Sequence, residues 1–96
     1  MQTMIGGASY YDLPGNLMAN GQKFDAAAMN AAMLQTKLGT VVTVSLVSNP
    51  TKSIKVTVTD RGPYAKGRII DLTPAAFIKL CGSTAAGVAQ VKIVIP

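Results

Sequence analysis

The sequence predicts a mainly β fold: a small closed barrel of short strands with one or two short helices. Three observations carry that prediction. Apolar and polar residues alternate in short runs, most cleanly where Ile54, Val56 and Val58 interleave with Lys55, Thr57 and Thr59. One segment alone carries a set of helix signals, from Thr73 through Pro74 to Gly82. Glycines and prolines punctuate the chain between these runs. Short strands around one clear helix fit a small barrel, and 96 residues fit one domain over 1–96.

Taken in order, Ile5 to Tyr11 reads as an opening strand, followed by a loop over Asp12 to Asn16. Ala26 to Leu34 is ambiguous, because its alanines and methionines favour a helix. Val41 to Val47 is a run of β-branched residues and reads as a buried strand. Ser48-Asn49-Pro50-Thr51 is a turn by composition, and the alternating run to Thr59 returns from it to complete a hairpin. Ile69-Ile70 is a short strand before Asp71. A helix then starts with Thr73 as N-cap, Pro74 in the first turn and Leu72 able to staple to Phe77. It runs to about Leu80 and stops at Gly82. Val88 to Ile95 alternates again as a closing strand.

Composition narrows the chemistry. Nine basic and four acidic residues give a net charge of +5, every acid is an aspartate, and histidine is absent. The charge either serves solubility alone or favours an anionic partner, such as glycan bearing peptide carboxylates, nucleic acid or an acidic membrane surface. The basic residues are scattered except for Arg61, Lys66 and Arg68, which gather beside Asp60. The single cysteine, Cys81, rules out an internal disulfide and reads as a half-buried structural thiol, since no histidine exists to activate it. No metal and no cofactor are expected: the chain lacks histidine, has one cysteine and shows no carboxylates at ligand spacing. No apolar run suits a signal peptide or a membrane span.

Acid/base chemistry therefore has few places to reside. Asp60 ends the alternating strand at a barrel mouth, and Gly62-Pro63 then turns the chain. Its carboxylate either works on a substrate or bonds the backbone of its own turn. Arg61 is the next residue and faces the other way along a strand, so it need not pair with Asp60. Asp25 closes Asn20-Gly21-Gln22-Lys23-Phe24-Asp25 and is either a turn residue or a second acid. Asp71 precedes the helix, where the helix dipole would favour a carboxylate whether or not it is catalytic.

The segment Thr59 to Phe77, TDRGPYAKGRIIDLTPAAF, resembles the signature of the rare lipoprotein A-like double-psi β-barrels, relatives of expansins and barwin-type domains. GGASYY from Gly6, MANGQKFD from Met18, NAAM from Asn30, LGT from Leu38 and GVAQVKI from Gly87 follow in that family's order. The resemblance implies a six-stranded double-psi barrel with a short strand over Asn30 to Met33. It also implies an essential carboxylate at Asp60, with Asp25 facing the same groove. Three positions depart from the pattern: Gln22 stands where the family has Glu, Met33 where it has His, and Tyr10-Tyr11-Asp12 where it has Trp-Tyr-Gly. An amide cannot exchange the proton a carboxyl can, and a thioether offers little beyond apolar contact.

The function the resemblance implies is binding and cleavage of peptidoglycan glycan strands by a lytic transglycosylase, with Asp60 as acid/base and Asp25 assisting. Ser9, Tyr10, Tyr11, Gln22, Met33, Arg61, Tyr64 and Asp71 are its expected binding residues. A non-catalytic, expansin-like glycan-binding module is the alternative, favoured by the missing Glu and His. A nucleic-acid- or protein-binding barrel using Arg61, Tyr64, Lys66 and Arg68 is the third reading, weakened by few aromatics and no basic stripe, so nucleic acid is not expected. The resemblance further implies a monomer in the periplasm or cell envelope, with Met1 opening a chain trimmed of its export signal; a cytosolic protein is the other possibility.

Overall fold

The computed structural model describes residues 1–13 and 15–96; Pro14, within the loop expected over Asp12 to Asn16, lies outside the described residues. Six strands and one helix follow in the order β1 (Gln2–Tyr10), β2 (Asn30–Ala32), β3 (Val41–Leu46), β4 (Ser53–Asp60), β5 (Arg68–Leu72), α1 (Pro74–Cys81) and β6 (Val88–Ile95). The strands close into a barrel in the spatial order β1-β5-β2-β4-β3-β6. β1 pairs with β5 and β2 with β4 in parallel, and every other pairing is antiparallel. This is the double-psi arrangement the resemblance implied.

The alternation read from the sequence sets the wall. Ile54, Val56 and Val58 of β4, Val42 and Val44 of β3, Ile70 and Leu72 of β5, and Val91 and Ile93 of β6 all point into one core. Medium aliphatic side chains fill that interior, with Phe77 of α1 the one aromatic ring in it among the described residues. α1 packs against β1, β3, β4 and β5 and buries Ala76, Phe77 and Leu80. Gly82 takes φ 88° beyond its last turn, and its amide donates to the Ile78 carbonyl at 2.7 Å.

Several details differ from the sequence expectation. β1 starts at Gln2 rather than Ile5, because the antiparallel ladder with β6 runs from Gln2 opposite Ile95 to Ser9 opposite Val88. The ambiguous segment is neither a helix nor a long strand, and only Asn30 to Ala32 enters the sheet. Thr73 occupies the N-cap position but makes no side-chain cap bond. Its buried hydroxyl donates to the Ala28 carbonyl at 2.5 Å and accepts from the Asn30 amide at 3.4 Å. The helix start is thereby fastened to the start of β2.

Close backbone approach explains one glycine. A Cβ on Gly7 would lie 3.0 Å from the Gly67 carbonyl oxygen, which also accepts the Gly7 amide at 3.0 Å. Gly62 adopts φ 131°, a conformation that favours glycine, ahead of a cis bond to Pro63.

Candidate active site

The site begins with an irregularity in the parallel pair of β2 and β4. Ala31 lies opposite Val58, but Ala32 lies opposite Asp60, so β4 carries one extra residue there. Strict alternation would turn Asp60 inward with Ile54, Val56 and Val58. The bulge instead puts it on the face of Ala32, which is what such insertions do next to functional sites. Across the neighbouring strands Ala32 pairs with Asp71, and Asp71 with Ser9. Paired residues share a face, so Ser9, Asp71, Ala32 and Asp60 form one row over four strands. Two strand spacings separate the carboxylates, about 10 Å at the backbone. Ala32, almost fully buried, contributes only a methyl group between them.

The Asp60 carboxylate is partly exposed and fixed through one oxygen. Its Oδ1 accepts the amides of Ala19 and Arg61, each at 2.9 Å. Ala19 belongs to a small hairpin over 16–24, held by Met18 N–H to the Gln22 carbonyl and Phe24 N–H to the Asn16 carbonyl, both at 2.8 Å. This hairpin folds over the end of β4: the Asn20 amide donates to the Thr59 carbonyl at 3.1 Å, and the Thr59 hydroxyl to Met18 Sδ at 3.2 Å. The Asp71 carboxylate takes its hydrogen bond from Ser9 Oγ, which is almost fully buried.

Tyr11 lies one residue beyond β1, with its amide on the Leu72 carbonyl at 3.1 Å. Its ring packs on Phe24 at a centroid separation of 4.9 Å. Its hydroxyl is buried; the Thr59 hydroxyl and the Asp60 carboxylate lie near it, yet it makes no hydrogen bond of good geometry among the described residues. Burial pushes the phenol well above its ordinary pKa, and the charges of Asp60 and then Asp71 push in the same direction.

The expected site residues thus divide. Asp60, Asp71, Ser9 and Tyr11 come together. Asp25 is exposed, and its Oδ1 accepts the Ala27 amide at 2.9 Å within its own turn. Gln22 sits at the hairpin tip, bonded through its side chain to Asn20 at 3.2 Å. Met33, expected to contact ligand, has no exposed surface and belongs to the core; that expectation is corrected, because its side chain follows the apolar face of β2 inward. Tyr10 leans on Phe77 of α1, with ring centroids 5.1 Å apart. Tyr64 is 82% exposed. The Arg61 guanidinium turns to the Met33 carbonyl at 3.1 Å and to the Thr36 carbonyl, rather than to Asp60. Burial pushes the Cys81 thiol above its usual pKa, in keeping with an unreactive thiol.

Sequence reasoning missed Ala32 and Thr59. The smallness of Ala32 is visible in the sequence, but its place between two carboxylates is set by strand order. Among the described residues, no group of three metal-ligating side chains gathers. A separate concavity of about 310 Å³, lined by Met1, Val41, Thr43, Lys55, Val94 and Pro96, holds none of the carboxylates.

A family model described as lytic transglycolase matches residues 3–93. The chain belongs to that family. Among its lytic transglycolase relatives, the endolytic peptidoglycan transglycosylase RlpA of Pseudomonas aeruginosa strain UCBPP-PA14 is 41% identical over 92 residues, covering 94% of this chain and 26% of the relative. The RlpA of Vibrio cholerae is 42% identical over 93 residues, covering 95% of this chain and 35% of the relative. The chain therefore spans about a quarter to a third of these relatives. Among solved structures, the Streptomyces papain inhibitor superposes with a TM-score of 0.77 at 29% identity, covering 98% of this chain and 94% of that one. An expansin from Clavibacter michiganensis superposes at 0.74 with 25% identity, covering 99% of this chain and 50% of that one. The lytic transglycolase barrel is thus shared with proteins named for other activities, so the site, not the fold, decides function.

Proposed function

We propose that this domain binds peptidoglycan glycan strands and cleaves them by lytic transglycosylation, with Asp60 as the single acid/base. The observation that carries the reading is the bulge that turns Asp60 onto the face of Asp71. Asp60 Oδ1 is occupied by two amides, which leaves Oδ2 to hold and deliver a proton. Asp71 lies in the same row, two strands away, and faces the same groove. The assisting role expected for Asp25 passes to Asp71 in this reading, since Asp25 binds its own turn. The Arg61 guanidinium is directed to the Met33 and Thr36 carbonyls rather than to the Asp60 carboxylate.

In the reaction, Asp60 gives its proton to the glycosidic oxygen as the C1–O bond breaks. The same carboxylate then takes the proton of the muramic C6 hydroxyl, whose oxygen closes on C1 as an anhydro ring. No attacking water and no second carboxylate on the opposite sugar face are needed, unlike ordinary glycoside hydrolysis. On this reading the domain works as a monomer in the periplasm or cell envelope. The relatives named as endolytic peptidoglycan transglycosylases support the substrate class.

A second reading, a glycan-binding module without turnover, is favoured by Gln22 and by the buried thioether of Met33, which leave the groove without the Glu and His of the family pattern. Peptide-stripped glycan strands incubated with wild type and Asp60→Asn, with products read by mass spectrometry, separate the two. Anhydro ends from wild type and none from Asp60→Asn are expected. Strands retained by both proteins with no anhydro ends from either would leave only the binding module.

A further inference from the structure

We infer that Arg68 is a specificity residue that binds the lactyl carboxylate of a muramic residue in the groove. The inference deepens the glycan reading above and rests on it; the placement of Arg68 rests on strand register. Gly7 lies opposite Arg68 and Ala8 opposite Ile70, so β5 carries one extra residue, Ile69, against β1. Strict alternation would send Arg68 and Asp71, three residues apart, to opposite faces. The bulge returns them to one face, as the bulge in β4 does for Asp60. Ile69 packs against the core beside Ile70. Gly7 and Ser9 are alternate residues of β1, so the Gly7–Arg68 pair shares the face of the Ser9–Asp71 pair. About 7 Å along the strands separates the two pairs.

Local structure holds this side chain in place. The Arg68 amide donates to the Ala65 carbonyl at 3.2 Å, and the Gly7 amide to the Gly67 carbonyl at 3.0 Å. Gly7 has no side chain, and Arg68 Cγ lies 3.4 Å from the place its Cβ would occupy. The Arg68 stem thus rests over the bare backbone of β1, and the residue is half-buried. Of the clustered cations, Arg61 is committed to the Met33 and Thr36 carbonyls, and Lys66 is exposed in the loop. Lys55 and Lys92 lie further along their strands from the row. The Asp71 carboxylate takes its hydrogen bond from Ser9 Oγ.

Charge and shape name the ligand. A face that carries Asp60 and Asp71 repels an anionic sugar unless a cation meets its charge. A guanidinium offers a planar fork that receives a carboxylate through two parallel hydrogen bonds. In a peptide-free strand each muramic residue bears one carboxylate, on the lactyl ether at C3. Arg68 stands about 12 Å from Asp60 at the backbone, diagonally across the row. Holding the lactyl group at Arg68 sets which way round the sugar enters, with its charge away from Asp60.

The test compares binding of two preparations of peptide-free glycan strands, one with free lactyl carboxylates and one with them converted to methylamides. Binding is read in the cold, before cleavage advances. Wild type is expected to bind the carboxylate strands about tenfold more tightly. Arg68→Gln should bind both preparations alike, at the wild-type level for the amide strands. It keeps much of the stem over Gly7, and a backbone amide spectrum checks its fold. Arg68→Lys keeps the charge without the fork, so only part of the preference should remain. Equal binding of both preparations by wild type, or a preference unchanged in Arg68→Gln, overturns the assignment and leaves the glycan reading standing. Wild type that binds neither preparation sinks the glycan reading and the assignment with it. A preference lost in Arg68→Gln, from a wild type that forms no anhydro ends, keeps the assignment for a binding module.

Discussion

At the scale of single residues, neighbours in sequence have been sent to different tasks. Asp60 keeps its carboxylate on the groove face, while Arg61 sends its guanidinium to the Met33 and Thr36 carbonyls and its amide back to Asp60 Oδ1. Arg61 thus fastens the segment that follows β2 against the end of β4. Arg61→Ala should free residues 33–36 and cost about 1–2 kcal/mol, since hydrogen bonds to a charged donor exceed neutral ones but this side chain is exposed. Arg61→Lys should recover only part of that, because an ammonium cannot reproduce the planar fork. Amide hydrogen exchange over residues 33–36, with denaturant midpoints, reads both effects. Unchanged exchange in Arg61→Ala would mean that the two carbonyl bonds restrain nothing. The importance of Asp60 was legible in the sequence because acids are so few. The commitments of Asp25 and Met33 were not, since a turn aspartate and a groove aspartate look alike until the amide that takes the carboxylate is known.

At the scale of elements, the same divide has a physical cause. β3, β4 and β6 were readable because each buries one face, which imposes alternation on its own residues. β2 has three residues and draws its identity from β4 and β5, so local propensity pointed elsewhere. The bulge in β4 leaves no local mark either, because it exists only relative to Ala31 and Ala32. Thr73 shows how tertiary demand overrides a local motif: its hydroxyl joins α1 to the approach of β2 instead of capping the helix. Thr73→Val keeps the shape but leaves the Ala28 carbonyl without that donor, at a cost of about 1–3 kcal/mol. In a domain this small that corresponds to a drop in Tm of about 4–8 °C per kcal/mol. Thr73→Ser should restore most of it. A Thr73→Val protein melting with wild type would show that the hydroxyl contributes only packing.

At the scale of the whole molecule, charge and burial are arranged so that the barrel is a better container at neutral than at alkaline pH. The chain carries +5, yet Asp60 and Asp71 are set in one row on one face. Tyr11 is held neutral first by burial and then by the charges of Asp60 and Asp71, with its folded pKa well above the ordinary 10.0. A phenol raised in this way contributes nothing to the pH dependence below its unfolded pKa. Above it, the unfolded chain releases a proton that the folded one retains, so stability falls as pH rises from about 10 towards the folded value. The Cys81 thiol, raised by burial from 9.0, acts with the same sign and begins to act at lower pH. Denaturant midpoints between pH 7 and 11.5 should therefore decline in wild type, first mildly and then steeply. Lysine deprotonation affects every variant over the upper part of this range, so the informative quantity is the difference between proteins. Tyr11→Phe should remove most of the fall above about pH 10, and Cys81→Ser the milder slope that precedes it. Parallel curves for wild type and Tyr11→Phe would mean that the phenol ionises in the folded protein as easily as in the unfolded chain, which its burial and the charges of Asp60 and Asp71 argue against.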